Sequence, residues 1–113
     1  MSGHIPSPPG PLIDMAELTG RLEAIEAIHA LRRALVTENP LGARNQPLVH
    51  FGQLVVLGHG DLALHHASTA RRAGATPTEL VGVVETALVT AGMPAYKLGM
   101  SVLGELFADE TTP

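Results

Sequence analysis

Four of the six histidines, His50, His59, His65 and His66, fall within one seventeen-residue stretch that also holds Asp61. An imidazole with an ordinary pKa of about 6.5 gives and takes protons at neutral pH, so such a cluster suits general acid–base chemistry. On a continuous helix, positions 59, 62 and 66 return to one side, which aligns His59 with Leu62 and His66. His65 then points about 100° away, with Asp61 one turn before it and in reach of its ring. The candidate catalytic residues are His66 first, then His59 and His50. The same pattern also reads as a set of surface or interface histidines, and for His4 and His29 that reading is much the stronger.

Other chemistries fit less well. His59, Asp61, His65 and His66 offer nitrogen and oxygen ligands, yet adjacent side chains diverge on a helix and no H-E-x-x-H spacing occurs, so no metal is expected. Ser68 and Thr69 follow the cluster without a G-x-S-x-G turn, which argues against a serine hydrolase. The chain has no cysteine. That removes disulfides, thiolate metal sites and every dithiol mechanism.

The elements that must position these histidines read as helices. Of the 113 residues, 45% are hydrophobic, with two Phe, one Tyr and no Trp. A core of Ala, Leu, Val, Ile and Met in a chain of this size implies one closely packed all-α domain. Met15, Leu18, Leu22, Ile25, Ile28, Leu31 and Leu35 recur at three- and four-residue steps and predict one helix from Asp14 to about Glu38. Pro47 is suited to be the first residue of a second helix carrying Val49, Phe51, Leu54, Val55 and Leu57, interrupted at Gly58 and Gly60. A third segment from Asp61 to Ala73 ends at Gly74. Thr76-Pro77-Thr78-Glu79 has the composition of a capping box and starts a fourth helix, which stops near Ala91-Gly92-Met93-Pro94. A fifth runs from Ala95 to about Phe107. Gly82, Gly99 and Gly104 inside these helices imply the close approach of another backbone, within the fold or across a subunit interface.

The implied organisation is a Pro-rich extended or disordered arm over residues 1–13, a helical domain over 14–108 and a polar tail over 109–113. A formal charge of −4 with seven Lys and Arg leaves no basic stripe for nucleic acid. No run approaches the roughly 20 apolar residues of a membrane span, and the N-terminus lacks the features of a secretory signal. A soluble, cytoplasmic protein with a small-molecule partner, and neither nucleic acid nor membrane, is expected.

The stretch from His66 through Arg71-Arg72-Ala73-Gly74-Ala75-Thr76-Pro77-Thr78-Glu79-Leu80, then Val83-Val84-Glu85 and Ala91-Gly92-Met93-Pro94-Ala95, resembles the core of the carboxymuconolactone decarboxylase and alkylhydroperoxidase D superfamily. The resemblance covers about residues 45–107 and implies an all-α bundle of about five to six helices that assembles as a homotrimer or homohexamer. The peroxidase branch carries a C-x-x-C pair seven and four residues before the histidine and a glutamate upstream. Those positions are His59, Leu62 and about Pro47 here, so thiol peroxidase chemistry is excluded. The decarboxylase branch releases CO2 from γ-carboxymuconolactone to give an enol-lactone. For this chain the resemblance implies a cofactor-free lyase or isomerase acting on a small carboxylated lactone or polyketide-like substrate. A histidine near His66 would handle the proton, and Arg71 and Arg44 would hold the acid, with Arg72 a further cationic candidate. The alternative is a non-catalytic oligomeric binding or scaffold protein that has kept the helices and lost the redox pair.

Overall fold

Helix-forming residues fill most of the chain, and where the helices stop is decided largely by glycine. The computed structural model describes residues 11–111, in which six helices form: α1 (Pro11–Thr19), α2 (Leu22–Thr37), α3 (Gly42–Leu57), α4 (Gly60–Arg72), α5 (Pro77–Ala91) and α6 (Met93–Thr111). No strand occurs among the described residues. They divide into two units at Glu38/Asn39.

The first unit differs from the single helix expected over residues 14–38. Thr19 Oγ1 donates back to the Met15 carbonyl. Gly20 turns left-handed at φ 72°, and the Arg21 amide donates to the Ala16 carbonyl at 2.7 Å. This closed C-terminal turn ends α1, and the chain restarts as α2. The apolar periodicity runs on through the break, which is why it hides in the pattern. Helix α1 begins at Pro11, inside the segment read as an extended arm, while residues 1–10 of that arm lie outside the described residues.

α2 carries Leu22, Ile25, Ile28, Leu31 and Leu35 at helical spacing, yet none of its residues is buried. Leu18 on α1 is 78% exposed and Leu31 on α2 is 58% exposed. A helix depends on packing an apolar face for most of its stability, so α2 leaves its main source of stabilisation unused, while in α1 Ala16 is buried.

The second unit holds the core. Phe51, Leu54 and Val55 of α3, Ala63, Ala67 and Ala70 of α4, Leu80, Val84 and Ala87 of α5, and Ala95, Val102, Leu103 and Leu106 of α6 form one buried cluster together with Ala75. Phe51, Leu80 and Val84 are wholly shielded from solvent. α3 runs antiparallel to α4 and α5 antiparallel to α6, while α3 lies against α5 and α4 against α6. The α4 contribution is alanine alone, at steps of four and three, so its backbone lies close against its neighbours.

Three boundaries in this unit differ from expectation. α3 starts at Gly42, where Asn39 organises the entry by accepting from the Leu41 amide at 2.8 Å. Pro47 therefore sits inside the helix, buried, and is not its first residue. α6 starts at Met93 and continues to Thr111, so most of the expected polar tail is helical; residues 112 and 113 lie outside the described residues. The capping box forms as expected: the Glu79 amide donates to Thr76 Oγ1 at 3.1 Å and the Thr76 amide donates to Glu79 Oε1 at 2.9 Å.

Of Gly82, Gly99 and Gly104, Gly99 is the one under pressure. A Cβ there would stand 2.7 Å from Cγ2 of Val84, which lets α5 and α6 close on each other. At Gly82 and Gly104 a Cβ would meet nothing within 4 Å among the described residues. No helix among the described residues is long and apolar enough to cross a membrane.

Candidate functional site

His50 and His66 lie eight residues before and after Gly58. In an antiparallel helical hairpin, residues equidistant from the turn face each other, so the turn sets this pairing. Gly58 takes φ 83°, and the His59 amide donates to the Leu54 carbonyl at 2.9 Å, which ends α3 and reverses the chain. With the alanine face of α4 drawn against the core, the two imidazoles come together with ring centroids 3.9 Å apart and planes tilted by 37°. Both residues are partly buried, and Nδ1 of His50 is shut off from solvent.

His65 joins the edge of this pair, its ring 5.0 Å from that of His66 and nearly perpendicular. The expected bond between His65 and Asp61 is not among the hydrogen bonds or ion pairs of the described residues. His59 corrects the helical-face reading. It precedes α4 with φ −97° and ψ 81°, outside helical geometry, so the alignment of 59 with 66 does not arise, and its side chain is exposed. Of the three candidate histidines, the fold brings together His50 and His66.

The candidate arginines are engaged elsewhere. Arg44 donates from Nη1 to Glu79 Oε1 at 2.6 Å, the oxygen that also accepts from the Thr76 amide. The Thr76 amide first and the Arg44 guanidinium second hold the Glu79 carboxyl below its ordinary pKa. Arg71 donates from Nε to Glu110 at 3.1 Å and from Nη1 to the Ala75 carbonyl at 3.0 Å, with its guanidinium 5.8 Å from the Phe107 ring centre. Arg72 donates to Ser68 Oγ at 2.7 Å on its own helix. No group of three or more His, Asp or Glu side chains among the described residues is placed to hold a metal ion.

A second feature was not anticipated from the sequence. Between α3 and α5 runs a groove of about 820 Å³, lined among others by Leu48, Val49, Gly52, Val56, Gly82 and Val83. Glu79 stands in its lining. A signal was present: α3 is apolar on two faces, with Phe51, Leu54 and Val55 turned to the core while Val49, Val56 and Leu57 stay exposed.

No solved structure gives a significant match to the chain. The model of the carboxymuconolactone decarboxylase family, however, matches residues 23–105, which takes in α2 from its second residue, the α3–α4 hairpin with its histidine pair, all of α5 and most of α6. The chain therefore belongs to the carboxymuconolactone decarboxylase family.

Proposed function

We propose that this protein is a cofactor-independent lyase or isomerase that acts on a small carboxylated, lactone-like substrate, with His66 and His50 as its acid–base pair. The observation that carries this reading is the 3.9 Å stack of the two imidazoles, half sheltered from water at the α3–α4 seam. Two imidazoles in contact offer a proton donor and a proton acceptor at once, since an ordinary imidazole is divided between its two forms near neutrality.

Decarboxylation of a carboxylated lactone breaks the bond between ring carbon and carboxylate. CO2 leaves, and the electron pair flows into the conjugated lactone carbonyl, giving an enolate. A protonated imidazole stabilises that oxyanion by hydrogen bonding and then delivers its proton to carbon. The second imidazole returns a proton from solvent to the first. The same proton traffic serves an isomerisation or a lactone rearrangement, so the reaction class is narrower than the substrate.

The test is CO2 release together with ultraviolet absorbance change on fresh γ-carboxymuconolactone, for the parent, His66→Ala and His50→Ala. Turnover by the parent and its loss in His66→Ala supports the assignment; full activity in His66→Ala removes it. A second reading, an oligomeric scaffold without catalysis, is favoured by Arg44 and Arg71, each already closed into an intramolecular ion pair. It predicts no turnover by parent or variants on this substrate or on related lactones. The homotrimer or homohexamer implied by the resemblance belongs to both readings.

A further inference from the structure

We propose that the His50–His66 stack carries at most one positive charge near neutrality, held on His66, and that His50 becomes charged only after His66, well into acid. Two observations carry this. The ring centroids stand 3.9 Å apart with planes tilted by 37°, so a proton on one ring sets an imidazolium over the face of the other. One such charge is favoured over an aromatic face, whereas two repel each other. Between the dielectric of water and that of a protein surface, two unit charges about 4 Å apart set the second proton back by roughly one to three pH units. The pair therefore charges in two separate steps. The second observation decides the order. Both residues are partly buried, but Nδ1 of His50 is shut off from solvent. A proton there would charge a ring whose N–H water does not reach, which burial penalises. His50 thus keeps its one proton on Nε2 and leaves the first charge to His66.

The other titratable groups of the second unit lie off the pair. On α4, the exposed His65 meets His66 edge-on at 5.0 Å. Asp61 and Arg72 share the face of His65, four residues before and seven after it, and Arg72 donates to Ser68 and Thr69. His59 is exposed ahead of α4. On α3, Arg44 is bound to Glu79. α5 meets α3 at Arg44 and Gly52, and α6 meets α4 at Gly60 and Arg71. Those positions lie about 120° or more around their helices from His50 and His66. Glu79 and Glu85 of α5, and Tyr96, Lys97, Glu105 and Glu110 of α6, therefore do not face the rings. For catalysis the assignment rests on the reaction proposed above, in which it makes His66 the acid and His50 the relay. For protonation it needs no substrate.

The experiment is a pH titration of the full-length chain followed by nitrogen–proton correlation spectra of the histidine rings, which tell a protonated ring nitrogen from a bare one. Expected is that His66 becomes doubly protonated first while Nδ1 of His50 stays bare, and that His50 follows more than about one pH unit lower. His66→Gln takes away the neighbouring charge, so His50 should there take up its proton about one pH unit or more higher than in the parent. His65→Gln should leave the two steps apart. Both rings charging in one step, His50 charging first, a His50 step unmoved in His66→Gln, or steps that merge in His65→Gln overturns the proposal. The parent titration decides by itself if a variant fails to fold. Absence of turnover on γ-carboxymuconolactone would remove the reaction and leave these spectra unaffected, so the two failures are distinguishable.

Discussion

Glu79 shows how one carboxylate ties three segments together. Its Oε1 accepts from the Thr76 amide, closing the start of α5, and from Arg44 on α3. Its folded pKa is lowered, so its contribution is present above the ordinary glutamate value of about 4.3 and is lost as pH falls through the folded value. Thermal melts of Glu79→Gln and parent should therefore differ at pH 7 and converge in acid below both values. A difference that persists there unchanged would contradict the assignment. Thr76→Ala removes the cap of the same box and should cost about 1 kcal/mol at neutral pH, measured by urea denaturation. On the proposed function, His50→Ala should lower turnover while leaving the α3–α4 core intact, because the buried residues of α3 are Pro47, Phe51, Leu54 and Val55 and do not include His50.

Elements carry the next set of consequences. Gly58 holds φ 83° between α3 and α4, and Ala there meets backbone strain in the turn that registers His50 against His66. Gly58→Ala should destabilise by about 1 kcal/mol or more and weaken turnover in step. Gly99→Ala pushes a methyl group against Val84, which is fully buried and branched at Cβ and cannot swing aside. A cost of about 1–3 kcal/mol is expected from denaturant unfolding, although Ala is otherwise the better helix former. The capping box and the stops at Gly58 and Gly74 were legible in the sequence because each rests on a local rule about a few adjacent residues. The break at Gly20 was not, since apolar spacing continues across it. The pairing of His50 with His66 was half legible: the residue types stood out, but their meeting depends on where the hairpin turns, and a continuous helix through His59 pointed to the wrong partner. The ion pairs of Arg44 and Arg71 join residues 35 and 39 positions apart, which no local pattern announces.

At the scale of the whole molecule, stabilisation is unevenly distributed. Every member of the buried cluster lies in residues 51–106, whereas α2 buries nothing. Local opening follows the density of buried apolar contacts, so amide hydrogen exchange should rank the segments accordingly. Amides around Phe51, Leu80 and Val84 should exchange most slowly, and those of α2 fastest when the protein is dilute. Exchange in α2 as slow as at Phe51, Leu80 and Val84 would overturn this ranking and would show that the buried cluster of residues 51–106 is not the whole of the stabilising core.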